Sequence, residues 1–333
     1  MAKMIGIDLG TAYTRVVMRG RGTVLSQPTV VATDASGKEI LAVGNDAAQM
    51  TGKTDGDVRV VWPLKDSVIV HCNEAGGMLE EYINTAIDAL WAHPFVVASV
   101  PWGITEIERR AVEKVLSEAG AKRVELLDHI ILSALGAGVP IFQPHGYLVV
   151  DIGAGTTDAA LISMGRIVRA QSCRVGGNAI NAALSAYLKK RFSLIVSETT
   201  VEHIKCTIGT ASPRVGEGEM GVHGLNTASG KPDSVILHSA DVFEAIGDPM
   251  LRIVECVRAV LQDTPPEMAA DLCDDGLILT GGTAQLNGLA DLLQQATKTA
   301  VHLAENPMNA AAAGLGRVLR YQGDLKKIFL FKE

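Results

Sequence analysis

Two short stretches constrain this chain more than anything else in it. Met4-Ile-Gly-Ile-Asp8-Leu-Gly10-Thr11 and Leu148-Val-Val-Asp151-Ile-Gly153-Ala-Gly155-Thr156-Thr157 are both buried-strand patterns that end on Asp, turn through glycine and reach threonine. Asp8 and Asp151 lie 143 residues apart, close to half of the 333 residues. Each stretch is followed by a second β-rich run, Thr14–Met18 and Asp158–Ser163, so each glycine turn should close a hairpin. A duplicated α/β domain is the simplest explanation.

The segments between these repeats alternate in kind. Gly77–Leu90 carries apolar residues at the i, i+3, i+4, i+7 spacing of an amphipathic helix. Phe95–Val100 and Val124–Leu127 read as buried strands, and Ile130–Gly138 as a helix. Thr105–Ala119 opens with a capping box, Thr105 with Glu108 three residues on. In the second half Gly177–Phe192, Thr199–Ile208, Asp241–Asp263 and Leu286–Thr297 look helical, Gly276–Thr280 looks like a strand, and Asn309–Tyr321 like a closing helix. Such alternation calls for a parallel sheet with helices on its faces. Residues 33–63 and 210–240 are richer in Gly, Asp, Ser and Lys and read as insertions.

Facing Asp-x-Gly turns suit a polyphosphate, because glycine turns leave backbone N–H groups to converge on an anion while Thr11, Thr156 and Thr157 add hydroxyl donors. Asp8 and Asp151 would repel phosphate unless a divalent cation lies between, and Mg²⁺ binds through one or two carboxylates plus substrate phosphates. Thr280-Gly281-Gly282-Thr283 adds a double-glycine turn where backbone could approach a flat base. Lys+Arg 30 against Asp+Glu 37 gives a net charge of −7, which disfavours nucleic acid as a partner. With 47% apolar and 20% charged residues the chain should be compact, and 4% aromatics argue against an aromatic-belted barrel. The five scattered cysteines, without a C-x-x-C pair, read as reduced thiols of a cytosolic protein. Met1-Ala2-Lys3 leaves no room for a signal peptide, and the apolar run Ile130–Phe142 is too short to span a membrane.

Taken in order, these motifs resemble the actin, sugar-kinase and heat-shock-chaperone ATPase superfamily, with Gly6–Thr14 as a first phosphate loop, Asp151–Asp158 as a second and Thr280–Thr283 as an adenosine loop. Within it the chain resembles the MreB family of bacterial actin homologues, through Gly6-Ile-Asp-Leu-Gly-Thr-Ala12, Trp62-Pro-Leu-Lys-Asp66, Val100-Pro-Trp-Gly-Ile-Thr-Glu-Ile-Glu-Arg-Arg-Ala111, Gly136-Ala-Gly-Val-Pro140, Thr264-Pro-Pro-Glu267 and Leu279-Thr-Gly-Gly282. The resemblance implies an actin-like α/β fold: two duplicated α/β domains, each with a smaller inserted subdomain, and a nucleotide in the cleft between them. The subdomains would be IA (1–32, 65–138 and the closing segment 309–333), IB (33–64), IIA (139–180 and 241–308) and IIB (181–240). It further implies ATP and Mg²⁺ as cofactors, with Asp8 and Asp151 toward the metal. Gly10, Thr11, Ala12, Tyr13, Gly153, Gly155 and Thr156 would face the phosphates, and Glu202, Lys205, Gly281, Gly282 and Thr283 the nucleoside. Without the resemblance, Glu202 and Lys205 read as an i, i+3 surface ion pair.

The chain also departs from the family pattern. Where that pattern has two glutamates followed by proline, the second thought to position the attacking water, this chain has Leu127-Asp128-His129-Ile130. His129, Asp128 and Thr157 are therefore the candidate catalytic residues, and ATP turnover should be slow. The acidic run after the second loop reads Gly176-Gly177-Asn178-Ala179-Ile180-Asn181-Ala182, and the third glycine of the adenosine loop is Thr283. Leu90 and Trp91, in the loop after the Gly77–Leu90 helix, are the candidate membrane contact. The implied function is an ATP-dependent filament that organises cell shape and wall synthesis. Its partners would be further copies of itself in antiparallel protofilament pairs, the inner membrane surface and cell-wall elongation proteins, on the cytoplasmic face of that membrane. Alternatives are a slowly hydrolysing filament that positions organelles or cargo, and a monomeric sugar-kinase-like phosphotransferase.

Overall fold

The computed structural model describes residues 4–87, 93–213 and 218–320. Its contacts divide into two compact units, the first Met1–His145, Ile162–Ala170 and Asn309–Glu333, the second Gly146–Leu161 and Gln171–Met308. In the first, β1 (Met4–Leu9), β2 (Tyr13–Met18) and β3 (Gly22–Pro28) form an antiparallel meander. A small sheet of β4 (Val31–Asp34), β5 (Ile40–Val43) and β6 (Val58–Val61) follows, with helix α1 (Gly44–Met50) and a core of its own around Val30, Ala32 and Ala47. The hairpin β7 (Leu64–Lys65) and β8 (Val68–Ile69) leads to α2 (Cys72–Ile87), β9 (Phe95–Val100), α3 (Glu106–Glu118), β10 (Arg123–Asp128) and α4 (His129–Gly136). Strands β9 and β10 join β1 in parallel, giving the order β10-β9-β1-β2-β3. Ile5, Ile7, Val16, Met78, Leu79, Val96 and Leu116 make its core.

The second half of the chain repeats this plan. β11 (Tyr147–Ile152), β12 (Thr157–Ser163) and β13 (Arg166–Cys173) precede α5 (Gly177–Phe192), β14 (Leu194–Ile195), α6 (Glu198–Ile208), β15 (Glu219–Asn226), β16 (Pro232–His238), α7 (Ser239–Ala245), α8 (Gly247–Gln262), α9 (Pro266–Asp275), β17 (Leu277–Thr280), α10 (Leu289–Thr297) and β18 (Val301–Leu303). Its main sheet runs β13-β12-β11-β17-β18, the order of the first with later strands in the corresponding places. Strand β17 lies parallel to both β11 and β18. Strands β14, β15 and β16 form a separate sheet. The chain closes with α11 (Ala310–Arg320).

Three expectations shift. The helix expected over 241–263 is two helices, because the ring of Pro249 would meet the carbonyl of Ala245 four residues back and cannot donate to it. The helix expected from Leu286 starts at Leu289, after Gly288 takes a φ of 73° that its neighbours could not hold without strain. The expected helix 77–90 begins five residues earlier, at Cys72; Leu90 and Trp91 lie outside the described residues, as does Tyr321. Helix α9, with Pro266 at its favoured first position, was hidden inside a motif read only for family likeness. Among the described residues no helix is long and apolar enough to cross a membrane.

Helices α4 and α11 of the first unit meet through small residues. A Cβ on Gly136 would collide with the carbonyl of Ala310, and one on Gly314 with that of Leu132. Backbone cannot give way as a side-chain tip can, so Gly136→Ala and Gly314→Ala should each lower unfolding stability by at least ~2 kcal/mol. Gly316→Ala, whose methyl would sit 3.6 Å from a Val17 methyl, should be neutral or gain up to about 1 kcal/mol from helix propensity. Denaturant titration of the three variants checks this, and equal effects at all three positions would contradict it.

Candidate functional site

The glycine turns of the two units close in the same way. Gly10 N–H donates to Tyr13 O at 3.1 Å and Gly153 N–H to Thr156 O at 2.9 Å. A Cβ on Gly10 would stand 2.7 Å from the Tyr13 oxygen, so the first turn tolerates no side chain there. Among the described residues, no group accepts from the N–H groups of Thr11 and Ala12 or of Ala154 and Gly155. The rest of each turn is anchored. Thr29 N–H donates to Ala12 O and its hydroxyl to Gly10 O, while Thr11 Oγ1 accepts from Ser67 N–H at 2.8 Å. Ser67 and Asp66 both hold a positive φ in the β7–β8 turn, the conformation of a two-residue hairpin loop. Ala12 and Tyr13 are exposed.

Asp8, one residue before the end of β1, is 3% exposed, and protein donors reach both of its carboxylate oxygens. Oδ1 accepts from Ser99 Oγ at 3.0 Å and lies 3.4 Å from His129 Nδ1; Oδ2 accepts from Arg15 Nη1 at 3.3 Å. Burial alone would raise the Asp8 pKa, but the hydrogen bond and charge of His129, the charge of Arg15 and the Ser99 bond together hold it below the ordinary carboxylate value. Arg15 stands directly across the hairpin from Asp8, and Ser99 lies one step past the Ile7–Ala98 pair of β1 and β9. Ser99 Oγ also accepts from Leu9 N–H at 3.1 Å.

This arrangement bears on two expectations. Asp8 does not fit a direct magnesium ligand, since both its oxygens are engaged and a fixed guanidinium charge sits where a dication would need uncompensated carboxylate. His129, the first residue of α4, is drawn onto Asp8, and Asp128 caps that helix through backbone alone.

In the second unit Asp151, 5% exposed, accepts from Thr280 Oγ1 at 2.7 Å. Thr283 Oγ1 donates to Gly153 O at 2.7 Å, which gives the residue in place of a third glycine a structural task. Gly281 takes a φ of 90° with Ile152 O where a Cβ would stand, and Gly282 starts the short 3-10 turn Thr283–Gln285. Lys205 and Glu202 of α6 are more than a surface pair: Lys205 Nζ bonds Glu202 Oε2 at 2.7 Å and Gly177 O at 3.4 Å, and Asn181 donates to the same Glu202 oxygen. Those donors keep Glu202 ionised, with its pKa lowered although burial pushes it up. A Cβ on Gly177 would touch both Thr283 Oγ1 and Lys205 Nζ, so α6, the second glycine turn and the Thr280–Thr283 turn converge. Thr157 does not join them: it is fully buried and its hydroxyl donates to Val175 O. Sequence reasoning missed Arg15, Ser99 and Asn181, and placed Thr280 only in the adenosine loop. Arg15 alone had a readable signal, because a hairpin folded about Thr11 and Ala12 sets residue 15 opposite residue 8.

Comparison with known proteins bears on this geometry. The family model for MreB/Mbl protein matches residues 2–327. The chain is 40% identical to the cell shape-determining protein Mbl of Bacillus subtilis (strain 168) over 327 residues, 98% of either chain. It is 38% identical to the cell shape-determining protein MreB of Escherichia coli (strain K12), covering 96% of this chain and 95% of that one. The crystal structure of MreB 5 of Spiroplasma citri bound to AMPPNP superposes with a TM-score of 0.92 at 30% identity, over 100% of this chain and 99% of the other. The MamK double helical filament, at 19% identity and a TM-score of 0.80 over 96% and 98%, shares the fold.

Ser99 is the hinge of the first turn's polar cluster, since it is 2% exposed and bonds both Leu9 N–H and Asp8. Ser99→Ala takes away the side-chain acceptor of Leu9 N–H and one donor to Asp8 Oδ1, and should cost about 1–3 kcal/mol in urea unfolding. A loss under about 0.5 kcal/mol would mean the two groups find other partners.

Proposed function

The chain belongs to the MreB/Mbl family and has its actin-like fold, and from that premise we propose that it is an ATP-dependent, filament-forming protein that organises cell shape. The observation that carries the reading is the twofold repetition of one turn: Gly10 to Tyr13 and Gly153 to Thr156 close by the same hydrogen bond, each leaving two backbone N–H groups uncommitted after a buried strand-end aspartate. Backbone N–H groups gathered in a turn bind phosphate oxygens. The S. citri relative carries AMPPNP in one structure and ADP in another, which supports the same ligand class here. Gly10, Thr11, Ala12 and Tyr13 with Gly153, Gly155 and Thr156 would take the phosphates, and Glu202, Lys205, Gly281, Gly282 and Thr283 the nucleoside. Mg²⁺ would enter with the phosphates and neutralise their charge, and Asp151 is the carboxylate we assign to it.

Turnover should be slow. His129 sits on Asp8 and brings no fixed negative charge to a water, and general-base assistance is typically worth roughly 10²–10⁴-fold. The same observation favours a second reading, a long-lived filament that positions cargo. By family membership we assign self-association into paired protofilaments, attachment on the inner face of the cell membrane and wall-elongation proteins as partners. Leu90 and Trp91 are the proposed membrane contact.

Sedimentation with and without ATP tests the reading: the chain should pellet only with nucleotide, and Asp151→Ala should abolish the metal-dependent part of nucleotide binding. Pelleting that ignores nucleotide overturns it. His129→Glu should raise ATP hydrolysis at least tenfold; an unchanged rate would show that the histidine is not what limits turnover.

A further inference from the structure

The first glycine turn contains a cation that its motif does not call for. Arg15 is 7% exposed, lies opposite Asp8 in the β1–β2 register, and reaches the carboxylate with Nη1 at 3.3 Å. Its guanidinium stands 5.6 Å from the centre of the exposed Tyr13 ring, the residue that closes the turn. Its Nε–H is buried and has no acceptor among the described residues. Orphaned buried donors are rare in native proteins, because an unmade hydrogen bond forfeits the full cost of leaving water. A guanidinium has five N–H donors in a rigid fork, so the same group can hold a carboxylate on one edge and an anion's oxygen on another. Thr11 and Ala12, with their uncommitted N–H groups, belong to the same hairpin.

We propose that Arg15 is the built-in cation of this phosphate turn, neutralising Asp8 through Nη1 and offering Nε–H to a phosphate oxygen, so that the nucleotide is held with little dependence on Mg²⁺. The inference rests on the ATP-binding reading above and deepens it. Two charge arguments support it. Asp8 without Arg15 would be a buried carboxylate facing phosphate, a repulsion that a divalent ion must relieve; with Arg15 the pair is neutral and the repulsion is gone. A dication placed against Asp8 would meet the guanidinium at close range, so the arginine both replaces the metal's charge and opposes its entry. His129 stands 3.4 Å from the other carboxylate oxygen and crowds that side as well.

The test is equilibrium binding of a ribose-labelled fluorescent ATP, with competition by unlabelled ATP, in Mg²⁺ and in EDTA, for the wild type, Arg15→Gln and Arg15→Lys. The wild type should lose less than about threefold in affinity when the metal is removed, whereas Arg15→Gln should lose roughly tenfold or more, the scale of a charged hydrogen bond. Arg15→Lys keeps the charge but not the fork, and should fall between them. The proposal is overturned if the wild type loses tenfold or more in EDTA, or if the Mg²⁺-to-EDTA ratio is the same in wild type and variants. The wild-type ratio decides the matter even if Arg15→Gln does not fold. Absence of binding by the wild type in Mg²⁺ sinks the ATP reading itself, whereas tight binding in Mg²⁺ that vanishes in EDTA sinks only the role of Arg15.

Discussion

A carboxylate buried at the end of a strand must be given donors or lose its charge, and the polar architecture of each unit follows from that requirement. Asp8 and Asp151, 3% and 5% exposed, both stand one residue before a strand's end, ahead of a turn that closes on its own backbone. Each unit meets the demand from its own neighbouring strands. In the first, Ser99 comes from the parallel strand β9, Arg15 from the antiparallel strand β2 and His129 from the start of α4. In the second, Thr280 comes from the parallel strand β17. The duplicated frame is thus kept, with a hydroxyl from a parallel strand on each aspartate, and an arginine and a histidine stand beside Asp8.

This difference links packing to function. Beneath Asp8 the sheet is apolar, with Ile5, Ile7, Val96 and Ala98 fully buried, and the close crossing of α4 on α11 holds the helix whose first residue is His129. A histidine so placed is oriented by the carboxylate before any ligand arrives. It was its position in the sequence, rather than its surroundings, that suggested a role with water.

Much of the frame was legible because it rests on periodicity and turn chemistry. The two Asp-Gly repeats, the capping box at Thr105 and Glu108 and the apolar stripe of α2 each carry their physical cause within a few residues. The site was legible only as far as local sequence reaches. Gly177, Lys205 and Thr283 converge from three separate segments, and Thr157 looked like a ligand hydroxyl until Val175, 18 residues on, proved to be its acceptor. Arg15 was passed over because an arginine in a β-rich run reads as an edge residue, and its burial depends on the strand across from it. The break between α7 and α8 was written in Pro249 but outweighed by the helical stripe on either side.

The central claim is that the two turns are phosphate cradles built from backbone. Titrating ATP into isotopically labelled protein and following the amide resonances of Thr11, Ala12, Ala154 and Gly155 tests it most directly. All four should shift together along one saturation curve, while amides of the β14–β16 sheet stay in place. Shifts confined to other residues, or four amides that do not respond at saturating ATP, would contradict the account.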